Sequence, residues 1–150
     1  MAIGATAFQY FPKNPRSLTV KRVDEADAAE CARICRENGI VSIAHTTYAT
    51  NLAADEPLRE ATVLSLRNDL EIAEACGSAG VVVHFGKWKE REEPLAGYRR
   101  ILCALNETLR GWNGKAMLLI ENQAGEGRGI GSSFEELTGI RRLADRPENI

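Results

Sequence analysis

Val81-Val82-Val83-His84 is a run of three β-branched apolar residues closed by an imidazole, and it follows a long amphipathic stretch. Side chains branched at Cβ suit a pleated strand, and a short continuous apolar run suits a strand buried between layers. Working outward, three further runs have the same form: Val41 to His45, Met117 to Glu121 and, nearer the start, Thr6 to Phe11. Helical stretches are expected between them at about Asp24 to Asn38, Asp55 to Ala79 and Pro94 to Arg110, with a last one from Ser133 to Ala144. Asp24 and Asp55 are expected to cap their helices, Gly39 and Gly80 to follow helix ends, and Ser132 with Glu135 to form a capping box. The order is βαβαβαβα, an α/β pattern of parallel strands joined by helical crossovers. Strand ends recur at intervals of about one βα unit without any sequence repeat, so the period reflects architecture rather than duplication. Such units close into a barrel or open into a doubly wound sheet, and in both the chemistry collects at the carboxyl ends of the strands.

With 150 residues and 44% hydrophobic content the chain can bury one core, and a single domain, or a piece of one, is the expectation for 1–150. Nineteen basic residues stand against 21 acidic ones, a net of -2. Contact with nucleic acid would have to come from a local patch rather than from the whole surface. Four cysteines, Cys31, Cys35, Cys76 and Cys103, include no CxxC pair and read as small buried residues in a reducing compartment. No apolar stretch approaches a membrane span and no leader is evident, so a soluble cytoplasmic protein is expected.

The chain has only two histidines, and each closes a strand: Ile43-Ala44-His45 and Val82-Val83-His84. A third strand closes Leu119-Ile120-Glu121. Parallel strands of one sheet present these side chains at the same rim, where two imidazoles and a carboxylate can converge on one cation. That donor set is a zinc shell with a fourth position left for water. A single histidine at a strand end is more often a hydrogen-bonded structural residue. The joint placement of both histidines and Glu121 favours a metal.

After Glu121 the chain reads Asn122-Gln123-Ala124-Gly125-Glu126-Gly127-Arg128-Gly129-Ile130-Gly131. Its alternate glycines suit either a small anion nest or a tight loop of purely steric origin. Lys13, Arg16, Lys87, Lys89, Arg91 and Arg128 fall on the same set of loops, as a solvated rim or as contacts to backbone phosphates. Tyr48, in a polar loop three residues past His45, reads as a wedge for an exposed base or as a ring lying over the rim. Trp88 is similar, whereas Trp112 follows a helix end and reads as packing.

These residues resemble the endonuclease IV family, the second family of apurinic/apyrimidinic endonucleases. Ala5-Thr6-Ala7-Phe8-Gln9-Tyr10-Phe11-Pro12-Lys13-Asn14-Pro15-Arg16 is similar to that family's second barrel strand and DNA-probing loop. His45-Thr46-Thr47-Tyr48 with Asn51-Leu52-Ala53 resembles its H-x-x-Y-x-x-N-L element, and His84-Phe85-Gly86 its H-P-G. Ile120-Glu121-Asn122-Gln123-Ala124-Gly125-Glu126-Gly127 resembles its I-E-N-T-A-G-x-G. Phe85 stands where the family has proline, Gln123 where it has threonine, and Ala49-Thr50 is more polar than the family's apolar pair.

The resemblance implies a xylose-isomerase-like (β/α)8 TIM barrel, here a partial one of about four βα units, numbers two to five of eight; a full barrel needs about 250 residues. It implies a zinc cofactor in a cluster of three, with His45 and His84 on one ion and the catalytic Glu121 bridging it to a second. The remaining Asp, His and Glu ligands would lie on strands beyond this chain, so at most one well-formed zinc site is expected here. Arg16 and Tyr48 would enter double-stranded DNA at an abasic site, with Lys13 and Asn14 also at the DNA, and the phosphodiester 5′ to the abasic sugar would be hydrolysed. A half barrel exposes an apolar inner face and two sheet edges, so a complementary half-barrel chain or a homo-oligomer is expected as partner, and little nuclease activity from the chain alone. Two other readings remain open at this point: a sugar isomerase or epimerase fragment of the same architecture, and a non-catalytic fragment that binds zinc or DNA.

Overall fold

The computed structural model describes residues 4–87, 93–124 and 130–150. Four strands alternate with four helices: β1 Ala7–Tyr10, α1 Glu25–Glu37, β2 Val41–His45, α2 Leu58–Ala75, β3 Gly80–His84, α3 Pro94–Leu109, β4 Met117–Glu121 and α4 Phe134–Leu143, with a 3-10 turn at Pro147–Asn149. All three strand pairings are parallel, and the strands lie side by side in chain order, β1-β2-β3-β4. A doubly wound sheet would reverse direction at a switch point. This one does not, and it is a partial barrel of four βα units.

The two faces of the sheet differ. Ser42, Ala44, Val81, Val83 and Leu118 alternate with their neighbours onto a buried face, which α2 and α3 cover with Leu66, Leu70, Ile101, Leu105 and Leu109. Each of these side chains, fully withdrawn from water, contributes about 1.5–3 kcal/mol of apolar burial. On the opposite face Val41, Ile43, Val82 and Leu119 are half-buried or exposed. Burial therefore alternates along the strands, where a parallel sheet covered on both sides would bury continuously. The helices supply one layer only, and the strand ends carrying His45, His84 and Glu121 open onto the uncovered side.

Local signals explain most boundaries. The Asp24 carboxylate accepts from the Asp27 amide at 3.1 Å and starts α1, in agreement with its expected cap. Gly39, at φ +63, follows the helix end as expected. Three expectations need correction. Asp55 does not cap α2: the helix begins at Leu58 after Pro57, and the Asp55 carboxylate instead meets Arg100 at 3.2 Å. The same helix ends at Ala75, with Gly77 in the left-handed region. Gly80 is the first residue of β3, and a Cβ there would lie 2.3 Å from the Met117 carbonyl oxygen; close strand approach, not helix termination, is what calls for glycine at that position. The capping box of α4 is one residue later than expected, Ser133 with Glu136.

The four cysteines are free thiols. Cys35 and Cys76 are buried as expected, but Cys31 is half-buried and Cys103 is exposed on α3, because that position of the helix faces Arg59 and Glu107 rather than the sheet. Among the described residues no helix is long and apolar enough to cross a membrane.

Candidate metal centre and the loops around it

Register brings the three expected ligands together. His84 and Glu121 are partners across β3 and β4, and His45 pairs with Val82, two residues before His84 on the same face. The His84 Nε2 lies 3.7 Å from Glu121 Oε2, the His45 Nε2 lies 3.9 Å from the same oxygen, and the two imidazole centroids are 5.2 Å apart. One donor atom from each residue lies within 4.8 Å of the others. Donors around a tetrahedral zinc, at bond lengths near 2.0–2.1 Å, sit about 3.3 Å from one another. Closing the shell would shorten these separations by about 0.4 to 1.5 Å, within the reach of side-chain rotation.

The surroundings prepare the imidazoles for that role. The His45 Nδ1 donates to the Thr46 carbonyl oxygen at 2.7 Å, which turns Nε2 towards Glu121; a backbone carbonyl orients many ligand imidazoles in this way. Phe11 packs against the His45 ring at 5.3 Å. Among the described residues the buried His84 Nδ1 has no hydrogen-bond partner, an orphan of a kind that calls for an explanation. Two imidazoles and a half-exposed carboxylate form a donor set that fits a divalent metal.

A cleft of about 490 Å³ opens beside the trio, lined by Thr47, Tyr48, Asn51, His84, Lys87 and Gln123 among others. Side-chain amides tie its walls together. Asn51 accepts from the Lys87 amide and donates to the Lys87 carbonyl, each at 3.3 Å. Gly86 permits this approach, since a Cβ there would fall 2.0 Å from the Asn51 Oδ1. Gln123 donates to the carbonyls of Gly86 at 3.1 Å and Ile130 at 2.7 Å, and its own amide reaches the Gly131 carbonyl at 2.9 Å. Two of the three departures from the resembled motifs thus have structural uses: Gln123 joins two loops, and Phe85 is a fully buried core residue in one cluster with Ile130.

Of the residues expected at DNA, Arg16 and Asn14 are exposed and Tyr48 is 73% exposed. The Asn14 side chain accepts from the Arg16 amide at 2.9 Å, and the Tyr48 amide donates to the Pro15 carbonyl at 2.8 Å. Tyr48 also packs on Phe11 at 5.2 Å. Lys13 is the correction. It is not on the rim: its side chain is 3% exposed, its ammonium donates to the Ser65 carbonyl at 2.6 Å, and it lies 3.0 Å from Asp69 Oδ1. The fully buried Asp69 draws it inward. Burial pushes the Asp69 carboxyl up to about 6, outweighing the opposing pull of Lys13 and the smaller one of His45.

Lys87 is exposed. Trp88, Lys89, Arg91, Arg128 and the glycine-rich segment 125–129 lie outside the described residues. Trp112 packs as expected, donating from Nε1 to the Ala116 carbonyl at 2.9 Å beneath the Arg67 guanidinium.

Sequence reasoning passed over Asp69 and gave Asn51 no task of its own. The signal for Asp69 was present: Thr62, Ser65, Leu66, Asp69, Leu70 and Ala73 form the buried stripe of α2, and a carboxylate inside such a stripe requires a partner.

The sequence profile of a family described as xylose isomerase-like TIM barrel matches residues 1–150. A probable endonuclease 4 from Symbiobacterium thermophilum is 40% identical over 149 residues, covering 99% of this chain and 54% of that protein. The crystal structure of an endonuclease IV from Thermus thermophilus matches with a TM-score of 0.81 at 36% identity, covering 95% of this chain and 51% of that one. A D-tagatose 3-epimerase-like protein matches with a TM-score of 0.71 at 19% identity, covering 93% of this chain and 52% of that one; this likeness is one of fold alone. The chain spans about half the length of the relatives it matches. The chain belongs to the xylose isomerase-like TIM barrel family and matches endonuclease IV members over about half their length.

Proposed function

We propose that the protein is part of a zinc-dependent apurinic/apyrimidinic endonuclease acting on double-stranded DNA in the cytoplasm. The observation that carries this reading is the convergence of His45, His84 and Glu121 on one point at the wall of an open cleft. His45 and His84 would hold one zinc, and Glu121 would join it from β4. A divalent ion in this shell supplies Lewis-acid stabilisation of a phosphate and acidifies bound water. Glu121 is half-exposed, so its carboxylate would remain open to a second divalent ion if further ligands supplied one. Exposed Arg16 and Tyr48, tied together through the Pro15 carbonyl, enter the duplex at the abasic site, and Asn14 holds the turn that presents Arg16.

The remaining zinc ligands come from further βα units, in the same polypeptide, a complementary half-barrel chain or a second copy. The uncovered apolar face bearing Ile43, Val82 and Leu119 supports such a partner. The cleaved bond is the phosphodiester 5′ to the abasic sugar.

Zinc titration by calorimetry, with metal analysis and an abasic duplex assay, tests the reading. One tightly held zinc per chain, binding of the duplex and slow cutting by the chain alone are expected. Absence of zinc binding, or turnover of a ketose with no effect on abasic DNA, overturns it.

A further inference from the structure

We infer that Lys13 is a positioning residue, holding the turn that carries Arg16 in place relative to Tyr48 through its buried ion pair with Asp69 of α2. The inference rests on the proposed DNA role of Arg16 and Tyr48, and it replaces the phosphate contact that sequence alone suggests for Lys13.

Three links run in series. Lys13 follows β1 and sends its ammonium inward, to the Ser65 carbonyl at 2.6 Å and Asp69 Oδ1 at 3.0 Å, with the two charged side chains 3% and 0% exposed. Among the described residues neither Asp69 oxygen has a well-formed hydrogen bond, and Lys13 is the main group that offsets its charge, with a smaller contribution from His45. The next residues form a tight turn in which the Asn14 side chain accepts from the Arg16 amide at 2.9 Å and the Asn14 carbonyl accepts from the Ser17 amide at 3.2 Å. The Pro15 carbonyl then accepts from the Tyr48 amide at 2.8 Å. Arg16 and Tyr48 therefore stand on two segments that are bonded directly, and the first of these is pinned to a helix.

A surface lysine could leave this place to meet a phosphate. Lys13 cannot do so without stranding a carboxylate in the interior, which is what makes a buried pair a strict geometric constraint. Asn68 fastens the far end of the same connection, accepting from the Lys21 amide at 2.8 Å and donating to its carbonyl at 2.9 Å. Both ends of the connection from β1 to α1 are thus fixed to the same stretch of α2, Ser65 to Asp69, and Arg16 is displayed between them.

The experiment compares the wild-type chain, Lys13→Met, and Lys13→Met combined with Asp69→Leu, which removes both charges at similar volume. Two readouts are taken: amide hydrogen exchange at Arg16, Ser17 and Tyr48, and the affinity for a labelled duplex with one tetrahydrofuran abasic analogue across a salt series. Lys13→Met is expected to speed exchange at these amides by about tenfold and to weaken duplex binding by a similar factor. The slope of log K against log salt stays unchanged, and the double variant recovers most of both losses. Should Lys13→Met fail to fold, wild-type exchange in the double variant still supports the pairing role, and accelerated exchange there opposes it. A salt slope reduced by about one, with no recovery in the double variant, makes Lys13 a phosphate contact and overturns the inference. Unchanged exchange in Lys13→Met overturns it as well. If the wild-type chain does not bind the duplex, the proposed function fails, while the exchange data still decide whether Lys13 anchors the turn.

Discussion

His84 and Glu121 face one another as register partners on adjacent parallel strands, their Nε2 and Oε2 atoms 3.7 Å apart. Strand pairing, rather than a flexible loop, sets that separation, and the pair is therefore preorganised for a shared ion. Glu121→Gln keeps the shape and removes the charge, and His84→Ala removes a donor. Each is expected to weaken zinc binding by about 100-fold or more, beyond what loss of an outer-shell partner typically costs. Calorimetric titration checks this, and wild-type affinity in either variant would remove the residue from the shell.

The buried carboxylate of Asp69 gives a pH signature. Its folded value is pushed up to about 6 by burial, above its ordinary range near 3.9. The folded state thus binds this proton more tightly than the unfolded chain does. The contribution is fully present below about pH 4 and is lost as pH rises through about 6, by at most about 3 kcal/mol. Other carboxylates, such as those of Glu107 and Glu136, are held low by Arg59 and by Tyr98 with the Ser133 amide and act in the opposite direction. The difference in urea stability between the wild type and the Lys13→Met, Asp69→Leu double variant isolates the effect, and a difference that does not change between pH 4 and 7 would refute it.

Glu136 has more partners than an ordinary helix cap. Its carboxylate accepts from the amides of Ser132 at 2.8 Å and Ser133 at 3.1 Å and from the Tyr98 hydroxyl. Ser133→Ala is expected to cost about 1 kcal/mol, the ordinary value of a cap. Glu136→Ala should cost more, about 2 kcal/mol, because the half-buried Tyr98 hydroxyl also loses that acceptor. Chemical denaturation of the two variants ranks them, and an equal cost would show that the contact to α3 contributes nothing.

The amide clamps of the cleft can be opened one at a time. Asn51→Ala removes both bonds to Lys87, and Gln123→Ala removes those to Gly86 and Ile130. Each is expected to lower stability by roughly 1–2 kcal/mol and to raise exchange at the Lys87 amide most strongly in Asn51→Ala. If Gln123→Ala raised it equally, the two clamps would form a single network rather than independent ties.

Much of the architecture is legible from residue pattern, because strands such as Val81 to His84 are short apolar runs and the rim position of their last residue follows from parallel pairing. The metal trio is legible for the same reason: both histidines and Glu121 end strands. Helix limits are less so. Asp55 resembles a cap in sequence, yet its carboxylate is taken by Arg100 of α3, a tertiary contact that no local window contains. Lys13 presents a similar difficulty. A lysine in a loop beside Asn14 and Arg16 reads as exposed, and only the fold brings α2 close enough for Asp69 to bury it. In each case a long-range charge pair overrode the local preference.

The side-by-side order of β1 to β4 has a consequence for how the chain is made. Each strand from β2 to β4 finds a hydrogen-bonding neighbour in the unit synthesised just before it, and among the described residues none has to be threaded later between two strands already joined. The topology thus lets each βα unit settle on its predecessor as it leaves the ribosome, with the His45, His84 and Glu121 trio completed only when Glu121 emerges.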